Sequence, residues 1–148
     1  MAADPNDDPF DLTRFLEAQN SGATYERAYE ELRHGRKTSH WMWFVFPQVA
    51  GLGRSATAQR YAIHSLAEAR AYLDHPVLGD RLRESARLVA ETADEPGTVF
   101  GPVDAMKLRS CMTLFARAAP EESVFADVLG RHYGGEPDEL TERLLPQR

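Results

Sequence analysis

The chain has one cysteine and no long apolar segment. The lone thiol of Cys111 excludes an internal disulfide and a zinc site built from cysteines. No apolar run approaches the roughly 18 residues of a transmembrane helix, and no secretory hydrophobic region opens the chain. We therefore expect a cytoplasmic protein that makes no use of the membrane.

An excess of basic residues is also missing. The net charge is -6 and the isoelectric point is near 5.3. Nucleic-acid backbones and anionic membranes require a net basic surface, so neither is expected as the main partner. Apolar residues make up 43% of the chain and charged residues 27%, as in ordinary soluble globular proteins. A local basic pocket remains compatible with this composition.

Apolar residues recur at helical spacing through most of the 148 residues, and no segment alternates as a half-buried strand does. This length suits one domain that buries roughly 68–70% of its unfolded surface. We find no internal repeat and no linker long enough to divide the chain. The sequence predicts an all-α fold: a compact single-domain bundle of about seven or eight short helices over residues 10–148, preceded by a flexible tail over residues 1–9.

Capping residues and prolines indicate where helices begin and end. The first helix is predicted over residues 10–19, with Asp11 in its first turn. Thr24 can cap the second helix and Gly35 is suited to end it. Pro76 is expected at the first position of a later helix, which Pro96 and the glycine after it should end.

The most informative stretch is His40–Gln48, which contains both tryptophans of the chain. A segment this apolar in a chain of mean hydropathy -0.47 must be largely buried. Its apolar residues are continuous, so periodicity does not separate a helical turn from a strand, and Pro47 ends either one. Polar residues that flank it, such as Lys37, would lie at the edge of the core. We therefore look for a site here.

A second polar cluster, Asp104, Lys107 and Ser110, lies on the helix after Pro102 at three-residue spacing. The helix is apolar around much of its circumference, so polar residues within it must be paired. From spacing alone, an ion pair on the surface is the commoner explanation. The functional alternative is a lysine held for an anion or a carbonyl, with Asp104 orienting it.

The aromatic stretch raises the same choice between structure and function. Histidine is the usual acid–base group of proteins, which makes His40 a candidate, although a buried histidine with satisfied hydrogen bonds is commoner than a catalytic one. Trp41 and Trp43 can stack on a ring, but core packing is the usual role of such residues. Neighbours two apart point to different sides, so the two tryptophans can divide these roles.

The segment Gly51-Leu52-Gly53-Arg54-Ser55 places free N–H groups, a cation and a hydroxyl before a short helix. That arrangement is typical of an anion site at a helix N-terminus, yet it matches neither a P-loop nor a dinucleotide fingerprint. The remaining histidines have no ligand spacing, and Cys111 lies among apolar residues as an inert core thiol would. We predict no metal and no cofactor.

Two longer motifs contain these clusters: Gly35-x-Lys37-x-Ser39-His40-Trp41-Met42-Trp43-Phe44-Val45-Phe46-Pro47-Gln48 and Phe100-Gly101-x-x-Asp104-x-x-Lys107-Leu108-x-Ser110. Together they resemble the signature of the domain-of-unknown-function family 1810, and the likeness runs from Asp8 to about Leu145. One departure is Cys111, where the resemblance implies a second serine.

The resemblance implies a compact all-helical fold without an established activity. Some relatives carry the label calpastatin, which we set aside because calpastatins are disordered inhibitors, whereas this composition and helix pattern predict a folded domain. The resemblance also favours one pocket lined by polar residues from both motifs and the glycine-rich segment, namely Lys37, His40, Gln48, Ser55, Asp104, Lys107 and Ser110.

The first hypothesis is a site for a small anionic ligand of nucleotide or ADP-ribose type. Its candidate catalytic residues are His40, Asp104 and Lys107, and its candidate ligand-binding residues are Lys37, Trp41, Trp43, Gln48, Gly51, Gly53, Arg54, Ser55 and Ser110. Lysine and arginine would hold the anion, a tryptophan would stack on a ring, and Gln48 would contact its edge. Whether a hydrolase or transferase reaction follows stays open.

The alternative hypothesis is a protein-interaction module that uses the aromatic segment 41–46, and a third is a scaffold whose polar residues are all in ion pairs. An interaction module predicts an exposed apolar patch larger than a few hundred Å² and no convergent polar pocket. A ligand site predicts a convergent polar pocket and no such patch. Monomer and homodimer are both compatible with the sequence.

Overall fold

The computed structural model describes residues 8–145, which are helical apart from turns and loops. The helices are α1 (Thr13–Asn20), α2 (Thr24–Arg33), α3 (Met42–Val45), α4 (Ala56–Arg60), α5 (Leu66–Asp74), α6 (Leu78–Glu91), α7 (Pro96–Phe100), α8 (Pro102–Ala118), α9 (Ser123–His132) and α10 (Glu139–Leu144). A 3₁₀ turn, Ser21–Ala23, joins the first two. The predicted all-α fold is confirmed.

Helices α5, α9 and α10 pack against α8, the longest helix, and α7 packs at its beginning. Helix α6 packs on α5 and α9. Phe115 of α8 is fully buried at the centre, with its ring 5.6 Å from that of Tyr72 and 5.7 Å from that of Phe125. Because α8 is covered on several sides, its few polar residues are held in defined positions. No helix within residues 8–145 combines the length and apolarity needed to cross a membrane.

The beginning of α1 lies three residues later than predicted. Asp8 accepts hydrogen bonds from the backbone N–H groups of Leu12 and Thr13 at 2.8 and 2.9 Å. Asp11 therefore precedes the helix, with a left-handed φ of 52°, and is not in its first turn. Residues 1–7, most of the predicted tail, lie outside the described part of the chain.

Local signals at α2 were correct at one end and wrong at the other. Gly35 ends the helix as expected: with φ of 73°, its N–H donates to the carbonyl of Leu32. Thr24 is not the cap, because its hydroxyl donates to the carbonyl of Ser21. The residue before the helix is Ala23, which has a left-handed conformation. The turn before the helix uses that hydroxyl.

The two prolines have different positions from those predicted. Helix α6 begins at Leu78, two residues after Pro76, and the imidazole of His75 accepts its first N–H groups. Pro96 does not end α6, which stops at Glu91, but opens the short helix α7. Proline has no N–H to lose at a first helical position, which suits Pro96 at the start of α7. Pro76 instead lies in the turn before α6.

A buried ion pair joins α1 to α5. Arg14 donates to Glu68 at 2.8 Å, and both side chains are almost fully buried. Glu68 also accepts the N–H of His64, while the hydroxyl of Ser65 accepts the N–H of Glu68 at 3.0 Å. Ser65 and Glu68 thus form a capping box in altered form, in which the carboxylate of Glu68 accepts the N–H of the residue before the cap.

Substitution of Gly79 tests how tightly α5 and α6 pack. A Cβ atom there would lie 2.0 Å from the carbonyl oxygen of Leu73, a backbone atom that cannot move aside. We expect Gly79→Ala to lower the free energy of unfolding by about 3 kcal/mol or more. Gly130→Ala in α9 is the matched control, because nothing lies within 4 Å of its Cβ position; it should raise stability by about 0.5–1 kcal/mol. Urea denaturation of both variants checks this, and an equal effect would contradict it.

Candidate functional site

The aromatic stretch forms one helical turn, α3, and not a strand. Trp41 and Phe46 are buried, with ring centroids 6.1 Å apart, and both rings pack edge-on against Phe100. Trp43 is only half-buried and faces the surface. The two tryptophans therefore divide their roles, since one packs in the core and the other is available to a ligand.

Glu31 of α2 holds the loop that leads into α3. Its carboxylate accepts the N–H groups of Thr38 and Ser39 at 2.8 and 3.1 Å, the hydroxyl of Ser39, and the indole N–H of Trp41 at 2.9 Å. Burial alone would raise the pKa of Glu31, but these donors outweigh it and lower the pKa to about 2. Glu31 is thus ionised at neutral pH and fixes the loop.

Nothing in the sequence marks Glu31 as a residue of the site. It lies in a charged stretch of an amphipathic helix, where a solvated glutamate is the ordinary expectation. Its partners are seven to ten residues away, across the turn at Gly35. No local pattern indicates that this carboxylate, and not its neighbour Glu30, turns toward the loop.

Lys37 connects this loop to α8. Its ammonium lies 2.9 Å from a carboxylate oxygen of Asp104 and donates to the carbonyl of Ser39 at 2.7 Å. It also lies over the ring of Trp41, 5.1 Å from the centroid, and the side chain is 8% exposed. Most of its donor capacity is used within the protein. Lys37 is therefore a structural cation at the edge of the site.

Lys107 approaches Asp104 from the other side, at 3.3 Å, and lies 4.7 Å from the ring centroid of Trp43. Its side chain is 27% exposed, so its ammonium has donors available to a ligand. Lys37 and Lys107 are the only lysines among 17 basic residues. Each lies over one of the two tryptophans. The scarcity of lysine is visible in the sequence and could have linked these two positions, which the three-residue spacing of Asp104 and Lys107 does not.

Asp104 stays ionised between these two lysines. Burial would raise the pKa of its carboxyl, but the hydrogen bonds and charges of Lys37 and Lys107 outweigh burial and hold the pKa below its ordinary value. A carboxylate of this kind orients cations well and is a poor proton donor at neutral pH. The surface ion pair expected from spacing is present, but it is shared with a lysine from another segment.

Two adjoining clefts open on this face, and Trp43 and Lys107 line both. The Lys37 cleft, of about 130 Å³, is lined by Lys37, His40, Trp41, Met42, Trp43, Phe44, Thr57, Asp104 and Lys107. The Gln48 cleft, of about 280 Å³, is lined by Trp43, Gln48, Leu52, Gly53, Val103, Met106, Lys107, Ser110, Asp138 and Leu140.

Gln48 is the most unusual residue of the second cleft. Its side chain is 2% exposed, and its amide nitrogen has no hydrogen-bond partner among residues 8–145. The backbone carbonyl of Gln48 accepts the N–H of Ile63 at 2.9 Å, which fixes the backbone at this position. A buried donor without a partner costs roughly 1–3 kcal/mol. Such a group lining a cleft makes the cleft a candidate ligand site.

The structure brings nine of the predicted site residues to the two clefts, namely Lys37, His40, Trp41, Trp43, Gln48, Gly53, Asp104, Lys107 and Ser110. His40 is exposed, so it is not the buried histidine that base rates favoured. Gly53 leaves room for the indole, since a Cβ would lie 2.8 Å from Cη2 of Trp43. Their assignment as a site stays a prediction.

Three predicted residues lie outside both linings. Gly51 has φ of 103° and packs beneath Leu144. Arg54 is exposed, and the hydroxyl of Ser55 accepts the N–H of Ala58 at 3.0 Å as the cap of α4. The glycine-rich segment therefore shapes the wall of the Gln48 cleft, and its role in holding an anion remains untested.

The C-terminal part of the chain contributes residues that sequence analysis did not select. Asp138 caps α10, accepting the N–H and hydroxyl of Thr141, and lines the Gln48 cleft. Val103, Met106 and Leu140 form an apolar rim, with Val103 64% and Met106 69% exposed. Nothing in the sequence places α10 beside α8, so these residues could not be joined to the earlier motifs.

A larger depression, of about 760 Å³, lies beside Arg14, Arg60 and His64. It is wide open, and its buried charge is already satisfied, because Arg14 donates to four carbonyls and to Glu68. Ligand sites are usually concave and mostly apolar with a few well-placed polar groups, so the smaller Gln48 cleft is the better candidate. Cys111 is buried, and burial raises the pKa of its thiol, as expected of an inert residue.

Comparisons with known proteins agree with this architecture. A family model described as "Protein of unknown function (DUF1810)" matches residues 9–145. The crystal structure of the conserved hypothetical protein Rv1873 from Mycobacterium tuberculosis is similar, with 52% identity and a TM-score of 0.90. The match covers 93% of this chain and 98% of that one. No curated protein matches the chain in sequence.

Glu31→Gln should loosen the loop before α3. The amide keeps the shape but loses the charge that four donors share, so we expect a loss of about 2 kcal/mol of stability at pH 7. Because folding lowers the pKa from 4.5 to about 2, the contribution of Glu31 is full above about pH 4.5 and is lost as the pH falls toward 2. Urea unfolding at pH 7 and pH 3 checks this. A pH-independent difference between wild type and variant would contradict it.

Asp104→Asn should cost more than Lys37→Met. The first change leaves the nearly buried ammonium of Lys37 without its carboxylate, at a cost of roughly 3 kcal/mol. The second leaves Asp104 paired with Lys107. Since the pKa of Asp104 is lowered from 3.8, the stability it contributes is present above that pH and is lost on acidification. Thermal unfolding at pH 7 ranks the two variants, and the reverse order would show that Lys37 does not depend on Asp104.

Proposed function

The chain belongs to the family described as "Protein of unknown function (DUF1810)", and we propose from its site that it binds a small anionic ligand of nucleotide or ADP-ribose type. The ligand occupies the Gln48 cleft and extends toward the Lys37 cleft. Trp43 and Lys107 line both clefts and contact it in either one.

The observation that carries this proposal is the unpartnered amide nitrogen of Gln48. Gln48 lines a largely apolar cleft that also contains the half-buried ring of Trp43 and the partly free ammonium of Lys107. A buried donor, a flat aromatic face and a cation are the three contacts that a ring-bearing anion needs. A scaffold with all polar groups paired would have no reason to keep that donor buried.

The charges favour one anionic group near the mouth of the cleft. Lys37 and Lys107 together balance the carboxylates of Asp104 and Asp138, so the lining is not strongly basic. Only Lys107 is sufficiently exposed to meet an anion from solvent. The volume of about 280 Å³ lies just below the roughly 300–1,000 Å³ usual for ligand pockets. The cleft therefore suits one ring of a larger ligand.

A hydrolase or transferase reaction is a further hypothesis. His40 is the acid–base candidate, because it lines the Lys37 cleft and is open to solvent. Asp104 serves better as the group that orients Lys107, since its lowered pKa keeps it ionised. Ligand binding is the part of the proposal that comes first and can be tested alone.

A second candidate, a protein-interaction module, is favoured by the apolar rim of Val103, Met106 and Leu140. The aromatic segment itself offers little to a partner, because Trp41 and Phe46 are buried in the core. A partner would therefore contact the rim and Trp43. A ligand screen separates the two candidates, since an interaction module gains no stability from a nucleotide.

The test is a thermal-shift screen with NAD, ADP-ribose, nucleoside phosphates and sugar phosphates. A ligand that binds only the folded state adds about 2.7 kcal/mol at a hundredfold excess over its Kd. We expect a rise in Tm for at least one nucleotide-like ligand, reduced in Lys107→Ala. Arg87→Ala is the matched control, since this exposed cation lies on α6, outside both clefts. The absence of any shift in a well-folded protein would favour the interaction module.

A further inference from the structure

We propose that the end of the ligand inside the Gln48 cleft is an uncharged heteroaromatic ring with an amide-type edge, in which a carbonyl stands next to a ring N–H. The carbonyl accepts from Gln48, and the charged part of the ligand points outward to Lys107. This inference rests on the proposed function and narrows its ligand class to rings such as those of inosine and uridine, because adenine has no carbonyl beside a ring N–H.

Gln48 requires an acceptor from the ligand. The unpartnered atom is the amide nitrogen, which can only donate, and the side chain is 2% exposed. A ring carbonyl or ring nitrogen can reach a donor at that depth without bringing a charge with it. A phosphate there would be anionic and nearly cut off from water, with no buried cation to compensate for its lost hydration.

Two other groups in the cleft can accept a hydrogen bond from a ligand. Ser110 is 6% exposed and gives its hydroxyl hydrogen to the carbonyl of Met106 at 3.1 Å, so its oxygen is left as an acceptor. The carboxylate of Asp138 accepts both bonds from Thr141 and has no hydrogen to give. A ligand edge that places an N–H beside its carbonyl satisfies both kinds of group.

The shape and charge of the cleft fix the orientation. Apolar side chains, including Leu52 and Leu140, form much of the lining, and Trp43 offers a flat face, so a planar ring fits. Asp138 would repel an anion placed deep in the cleft. Lys107 is 27% exposed and lines both clefts, so an anionic substituent meets it at the opening.

Calorimetric titration with matched nucleotides tests whether the cleft recognises the amide-type edge of the ligand ring. The probes are inosine and uridine 5′-monophosphates, their 1-methyl and 3-methyl analogues, which keep the carbonyl and lack the ring N–H, and ribose 5-phosphate. We expect at least one parent nucleotide to bind, its methylated analogue to bind roughly tenfold more weakly, and ribose 5-phosphate to bind more weakly still, on the scale of one lost buried hydrogen bond.

Gln48→Met removes the donor and nearly keeps the volume. We expect it to weaken binding of the parent nucleotide by about tenfold or more. The Tm of the free protein should stay the same or rise, because a buried unpartnered donor has been removed. Ser85→Ala is the matched control: the Ser85 hydroxyl oxygen is likewise buried without a partner among residues 8–145, but it lies outside the Gln48 cleft. It should leave binding unchanged.

The outcomes separate this inference from the proposed function. If ribose 5-phosphate binds as tightly as the nucleotides and Gln48→Met has no effect on any affinity, the inference is wrong while an anion site at Lys107 stands. If the methylated analogues bind like their parents, the acceptor groups of Ser110 and Asp138 do not contact the ligand and the amide-type edge is wrong. If no probe binds to the folded wild-type protein, this inference is wrong; the proposed function is wrong as well only if the thermal-shift screen also finds no ligand.

Discussion

The ion pair between Lys37 and Asp104 joins the loop before the aromatic turn to the first turn of α8. It holds the two faces of the candidate site together, because one comes from the loop and the other from the helix. Glu31 fixes the same loop from its other side through Ser39 and Trp41. Both contacts are charge-assisted, and charge-assisted hydrogen bonds are roughly twice as strong as neutral ones. The position of Trp43 follows from them.

The site contrasts satisfied and unsatisfied polar groups. The charges of Lys37, Asp104 and Glu31 all have partners within the protein, so these residues stabilise the fold around the site. Gln48 has a buried donor without one. Native proteins leave few buried polar groups unpaired, and those that remain require an explanation. A site that keeps such a group gives up stability in the free protein, and binding a ligand of matching chemistry restores it.

Much of the fold could be predicted because its signals are local. The helical spacing of apolar residues indicated most helices, and Gly35 ended α2 as expected, since only a residue tolerant of positive φ suits that turn. The errors were also local in origin. Pro96 resembles a stop in isolation but begins α7, and Asp11 precedes α1 because Asp8 caps it. Short-range patterns leave such boundaries uncertain by a few residues.

The sequence by itself determined the helical class and the two polar motifs, because periodicity and spacing are properties of neighbouring residues. Only the tertiary structure decided which polar groups meet: that Lys37 and Lys107 share Asp104, that Asp138 from α10 lines the same cleft as Gln48, and that no described residue pairs with the Gln48 amide nitrogen. Contacts between segments far apart in the chain depend on how the helices pack, and packing is a property of the whole core.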